Sequence, residues 1–489
     1  MAVIMQNICL ILASLFFCIS LLLGNYLLLL LCSVMMWSNN MIYAVRSINK
    51  RVIFLFLNIT IGIFLLFRPV IDYCIGNDFV SVVKNSYCSK ADVWTGLVLL
   101  CVALFFLFCG TVIGGINEVR DNIWHIGKSY KFVYSVRFIS LVIYCISLVF
   151  SFILGYEQIQ FRQTHSYTDY YILYRSHLPY FVYVIASFTR YCMCFFLATL
   201  PSKKYAFIVL AFYVLSTIPT LIVGARSDFV AALMFSLIYY ILRDLHGHSK
   251  MWFGKIERIL LIIFVPLGLF FLGLYNYLRD GVFYSIDSFF NVILDLFYKQ
   301  GVSFAWFCSG LGVYESLPQN TVSYTFGGFI DYLHYGVIGQ ILWGNNGLGV
   351  GNNLMRGEMG NSMAHHLSYL LLGDAYLQGH GCGSSGFLEV FVDYGYIGII
   401  IYCVLLGIFC VRAFNFSQYN LIKLSLVLLT IDGILYMPRA QAMQPFLFVL
   451  QLQFICPFII CFGYALLISS GIVHLWKNNA SDVHGVKLS

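Results

Sequence analysis

The chain has 489 residues, 61% of them hydrophobic and 10% charged, with a mean hydropathy of +0.85. No water-soluble domain of this length hides so much apolar surface in one core, so the solvent is lipid, and helices rather than a barrel are the expected spanning form. The formal net charge of +7 is spread along the chain instead of forming a basic patch, which argues against nucleic acid as a partner.

A bilayer core of roughly 30 Å takes about 20 apolar residues per helix. On that measure spans are predicted at 4-23, 25-44, 52-70, 94-115, 134-155, 180-200, 205-224, 227-243, 259-278, 387-410, 424-437 and 446-472, eleven or twelve in all. The first two share one apolar stretch, Ile8 to Trp37, interrupted at Gly24-Asn25. It runs past signal-peptide length and has no small-residue cleavage site, so it is expected to be retained, as two helices joined at that dipeptide or as one long tilted helix.

The linkers 45-51, 116-137, 201-204, 243-258, 411-423 and 473-489 hold 17 of the 28 Lys and Arg residues, which marks them as cytoplasmic. The alternate segments, 71-93, 156-179, 225-227, 279-386 and 438-445, then face the other side. Most of the 16 cysteines fall inside apolar runs as core residues. Cys74 and Cys88, which bracket a short polar loop, are the pair expected to bond if that loop meets an oxidising compartment.

Within this single polytopic membrane domain, residues 279-386 form one large loop, far longer than ordinary connections, and such loops are usually functional. Ser288 to Phe307 carries apolar residues at helical spacing, with Asp295 and Lys299 four apart, and is predicted to lie along the membrane as an interfacial helix. Gly327 to Gly398 contains 17 of the 40 glycines, which predicts irregular backbone lodged against protein or a watery cavity.

Three arginines are predicted at the same face of the membrane. Arg226 sits in Gly224-Ala225-Arg226-Ser227-Asp228-Phe229, Arg279 in Tyr275-Asn276-Tyr277-Leu278-Arg279-Asp280-Gly281, and Arg439 in Tyr436-Met437-Pro438-Arg439-Ala440-Gln441. An arginine in apolar surroundings costs about 2.5 to 3.5 kcal/mol, so it is expected to have an anionic partner. The bland readings are an ion pair with Asp228 or a snorkelling anchor for Arg226, and ordinary interface positions for Arg279 and Arg439. Three planar guanidinium forks at one boundary can instead clamp a phosphate or diphosphate.

The loop and the helix after it carry the candidate general bases. These are His365 and His366, and Glu389 and Asp393, which are four apart on one helix face where carboxylates are costly unless they meet a cavity. A structural role is the alternative for the histidines. Gly381 to Gly386 matches GxGxxG before a helix, where amides can hold a phosphate, but no strand precedes it, so a dinucleotide site is excluded. The segment also misses the GxSxG nucleophile elbow.

Taken together, these segments resemble the O-antigen polysaccharide polymerases called Wzy and the related enterobacterial common antigen polymerase. The resemblance is carried by Gly224-Ala225-Arg226-Ser227 leading into a span, by the large loop after Arg279, by Gly379 to Gly386 running into Glu389, Tyr394, Gly395 and Gly398, and by Arg439. It covers the body of the chain. It implies an all-α glycosyltransferase of the type-C fold class in the bacterial inner membrane, with one large periplasmic loop. Such an enzyme moves the growing glycan from undecaprenyl pyrophosphate to the next lipid-linked repeat unit, at an active site facing the periplasm.

The resemblance further implies no cofactor, metal ion or nucleotide sugar, and an undecaprenyl-pyrophosphate-linked oligosaccharide as partner, beside a chain-length regulator in the inner membrane. Arginines would then neutralise the diphosphate leaving group, which assigns that role to Arg226, Arg279 and Arg439. The alternatives are an O-antigen ligase, which uses the same donor, and a repeat-unit flippase. Against the flippase stand the large loop, the lack of internal repeats and the few mid-span charges, chiefly Arg190 and Asp432.

Overall fold

The apolar stretch at the amino end folds as two helices, α1 (Ala2–Leu23) and α2 (Tyr26–Val45). Between them Gly24 takes a φ of 63°, and Asn25 Oδ1 accepts the Leu27 amide at 2.9 Å. The break thus falls at the predicted dipeptide, made by a residue free to adopt positive φ followed by one that caps the next helix. The computed structural model describes residues 2–116, 130–165, 169–170, 173–245, 252, 254–280, 288–417 and 420–469.

The next helices are α3 (Val52–Cys74), α4 (Lys90–Gly115), α5 (Tyr130–Thr164), α6 (Tyr180–Ala198) and α7 (Lys203–Val223). They are followed by α8 (Ser227–Leu245) and α9 (Lys255–Asp280). After the loop come α15 (Gly386–Ser417), α16 (Leu421–Tyr436) and α17 (Leu452–Ser469), the labels α10 to α14 belonging to the loop. Eleven helices among the described residues are long and apolar enough to cross a membrane. The predicted span at 227-243 is the helix α8; Asp228 at its start and Arg243 and Asp244 at its end leave it outside those eleven. The protein is an all-α, multi-pass integral membrane protein.

Lipid supplies no hydrophobic drive between helices, so close backbone approach and buried polar contacts hold the bundle together. A Cβ on Gly110 of α4 would lie 2.2 Å from the Val404 carbonyl oxygen of α15, and one on Gly407 would lie 2.4 Å from the Leu107 carbonyl oxygen. The Gly110→Leu variant is therefore expected to lose about 1–3 kcal/mol, read as a lower unfolding temperature in detergent. Unchanged thermal stability would count against this packing. Elsewhere, Asn40 Nδ2 donates to Asn58 Oδ1 and to the Leu104 carbonyl, each at 3.1 Å, joining α2, α3 and α4. Arg190 of α6 meets Asp432 of α16 at 3.3 Å and donates to the Leu429 carbonyl at 2.8 Å, so the two mid-span charges pair with each other.

The predicted helix at 288-307 is instead two helices, α10 (Phe289–Gln300) and α11 (Val302–Val313). They part at Gly301, where a Cβ would lie 2.4 Å from Arg68 Cβ of α3. The first is amphipathic as expected: Val292 and Leu296 are buried, Phe290 is exposed, and Lys299 pairs with Asp295 at 3.0 Å. The second is not interfacial, because Phe304, Phe307, Cys308 and Leu311 are buried in the packed body. The glycine-rich stretch follows as short helices, α12 (Gly327–Tyr335), α13 (Val337–Trp343) and α14 (Met363–Leu372), joined by irregular backbone with positive φ at Gly344, Gly349, Gly351 and Gly360.

The expected Cys74–Cys88 bond is not formed. Cys74 is an exposed free thiol and Cys88 a buried one.

Candidate functional site

Between α3, α8, α9, α10 and α16, beside the turn that joins α7 to α8, lies a cavity of about 470 Å³. Its walls are chiefly apolar, from Ile63 and Phe64 of α3, Val230 and Met234 of α8, Leu269 and Leu272 of α9, and Leu296 and Phe297 of the loop helix α10. Its polar lining is Thr60, Arg226, Ser227, Gln300, Tyr436 and Arg439. Two of the three predicted arginines, distant in sequence, thus meet at one cavity.

Local structure explains how each wall is set. In α3 the turn Gly62–Leu66 is a π-turn, an irregularity that costs stability and often marks a functional site, and it carries Ile63 and Phe64 into the wall. Gly224 ends α7 at a φ of 117°, a left-handed conformation suited to glycine, so the chain reverses within Ala225-Arg226 and α8 begins at Ser227. Arg226 Nη1 donates to the Leu272 carbonyl at 3.0 Å, and the Tyr436 hydroxyl donates to the Ser227 carbonyl at 2.6 Å, fastening that turn to α9 and α16.

Arg439 lies on a 3₁₀ turn (Met437–Arg439) that continues α16, with Pro438 inside it. Its Nη1 donates to Gln300 Oε1 at 3.0 Å, and its guanidinium carbon lies 5.7 Å from the centre of the Phe64 ring. Gln300 is the last residue of α10, so the large loop touches Arg439 directly. Arg279 is in the last turn of α9, the helix that contributes Leu269 and Leu272; its side chain lies outside the described residues.

The four candidate bases stand elsewhere, and none lines the cavity. Glu389 is fully buried, accepting the Ser384 hydroxyl at 2.7 Å and the Ala442 amide at 2.8 Å. Asp393 accepts the Ser323 hydroxyl at 2.7 Å and the Tyr324 and Thr325 amides at 3.1 and 2.7 Å. His366 is buried, with Nε2 at 3.0 Å from the Met359 carbonyl and Nδ1 at 3.0 Å from the Tyr324 hydroxyl. A carbonyl only accepts, so Nε2 carries the proton and Nδ1 takes the Tyr324 hydrogen. His365 has Arg356 Nη1 at 3.2 Å on Nε2 and the Tyr376 hydroxyl at 2.9 Å on Nδ1. Guanidinium only donates, so Nε2 is the acceptor and is already engaged.

Burial, helped by the Arg356 charge, pulls His365 down to about 4, and burial lowers His366 as well. Both are therefore neutral near pH 7. An unfolded chain would take a proton on His365 near pH 6.5 while the folded one holds out to about 4. Its contribution to stability is thus whole above about 6.5 and is lost as the pH falls towards 4. Hydrogen exchange at 353-380 is expected to be faster at pH 5 than at pH 7.5 after correction for intrinsic rates. Equal protection at both would contradict this.

Cβ atoms on Gly386 would lie 2.8 Å from Met437 Cγ and 2.9 Å from Ala442 Cα, so the glycine is there for close packing against the strand of chain that carries Arg439. Sequence reasoning missed Thr60, Phe64, Gln300 and Tyr436 as cavity residues. Inside apolar runs their signal is indistinguishable from core packing; only Gln300, polar and next to Gly301, stands out.

No curated protein and no solved structure matches the chain. The family model for the O-antigen polysaccharide polymerase Wzy matches residues 5–470, nearly the whole chain, and the chain belongs to that family of enzymes acting on lipid-linked oligosaccharide repeat units.

Proposed function

We propose that the protein polymerises O-antigen by moving the growing glycan from undecaprenyl pyrophosphate to a sugar hydroxyl of the next lipid-linked unit, on the periplasmic face of the inner membrane. The observation that carries this reading is the meeting of Arg226 and Arg439 at one cavity with apolar walls. When the glycosidic bond to the diphosphate breaks, negative charge grows on the departing phosphate. Guanidinium groups already oriented by the Leu272 carbonyl and Gln300 can stabilise that charge without reorganising. Arg279, at the end of the helix that lines the same cavity, is proposed as the third member of this set.

The apolar walls suit the first isoprene units of the lipid carrier. They also keep water from competing for the glycosyl group. Helix α10 of the loop forms part of the wall and touches Arg439, so the loop acts as a lid over the chemistry. Glu389, Asp393, His365 and His366 remain the candidates for the proton of the acceptor hydroxyl only if the substrate-bound loop frees one of them. In the geometry described here they serve as ties that hold the loop in place.

Deletion of the gene tests the function. A polymerase predicts loss of the long-chain ladder with a single ligated repeat unit retained. Loss of every ligated unit would overturn the reading in favour of a ligase or flippase.

A further inference from the structure

We infer that Cys88 and Cys308 form a disulfide that fastens the loop helix α11 to the segment between α3 and α4. Cys88 and Cys308, far apart in the chain, stand on the two pieces that meet here, and burial and then the neighbouring Cys88 hold the Cys308 thiol up. Their surroundings hold the same two pieces together: Asn85 Nδ2 donates to Ser309 Oγ at 3.0 Å, and a Cβ on Gly312 would lie 2.2 Å from the Tyr87 carbonyl oxygen. Both stand as free thiols in the structure and are buried, at 2% and 0% exposure, so the bond would be shielded once made.

Cys32, Cys101, Cys192 and Cys461 are buried free thiols as well. Each of these lies wholly within apolar spans, beyond reach of an aqueous oxidant. Cys88 and Cys308 instead belong to 71-93 and 279-386, the stretches that the distribution of Lys and Arg assigns to the non-cytoplasmic side. The inference rests on that orientation and not on the polymerase reading.

The bond forms by thiol–disulfide exchange. The two thiols lose two protons and two electrons, and a protein disulfide oxidant accepts both electrons and is released as a dithiol. Burial raises the Cys308 thiol, which leaves little thiolate in the folded chain. Oxidation therefore belongs to folding, before α11 packs, and the finished bond resists reductant until the chain is denatured. Its place just after α10 means that it also anchors the part of the loop that touches Arg439.

The test uses the full-length protein in membranes from growing cells, quenched in acid, denatured, and alkylated before and after reduction, with labelled cysteines located by mass spectrometry. Cys88 and Cys308 are expected to be labelled only after reduction, and each of the variants Cys88→Ser and Cys308→Ser is expected to expose the other thiol. Labelling of both before reduction in the wild-type protein would overturn the inference. The wild-type labelling decides the matter even if the variants fail to accumulate, and it does so whether or not the protein polymerises glycan.

Discussion

Arg226→Ala and Arg439→Ala are each expected to cut polymerisation by on the order of 10²-fold or more at unchanged protein level. Each removes a planar cation from the cavity where both arginines stand, and among the described residues no other Lys or Arg lines it to substitute. Lysine at either position should recover only part of the activity, because a point charge on a flexible stem lacks the two-pronged fit to phosphate. Gel analysis of surface polysaccharide, with immunoblots for protein level, reads the effect. A full-length ladder in both alanine variants would remove these arginines from the mechanism.

The second large effect falls on stability. Glu389→Ala leaves the Ala442 amide without an acceptor, frees the Ser384 hydroxyl and opens a hole at a fully buried site. An orphaned buried donor costs roughly 1–3 kcal/mol, and the hole adds to it. Because Ala442 lies three residues beyond Arg439, the segment carrying that arginine is expected to loosen, and the protein to accumulate poorly. Glu389→Gln should fold normally, since one amide can accept the Ala442 hydrogen and donate to Ser384 Oγ. If the glutamine variant accumulates normally yet makes no polymer, Glu389 is the general base and not a tie.

Most of the bundle was legible in the sequence, because length and apolarity alone decide what spans a bilayer. The break at Gly24-Asn25 was legible for a local reason, a positive φ followed by a cap. Arg226 and Arg439 were legible because an arginine at the end of an apolar run is costly enough to need a purpose. That they share a cavity was not, since it depends on how α7, α8, α10 and α16 pack together.

Glu389 and Asp393 looked reactive for the same reason of cost. Their cost is offset by donors that no local pattern reveals: the Ala442 amide for one, and the Ser323 to Thr325 turn for the other. The predicted helix at 288-307 divides at Gly301, where Arg68 of a distant helix leaves no room for a Cβ, a contact that no local pattern reveals. The partner proposed for Cys88 was hidden likewise: spacing in sequence favoured Cys74, whereas packing sets the Cys88 segment against the helix that carries Cys308.

Binding of the lipid diphosphate to purified protein tests the central claim most directly. The wild-type protein is expected to bind undecaprenyl pyrophosphate at least about tenfold more tightly than undecaprenyl monophosphate, a difference of about 1.4 kcal/mol, and the folded Arg226→Ala/Arg439→Ala double variant to lose that preference. Equal affinity of the wild-type protein and the double variant for the diphosphate would contradict the account.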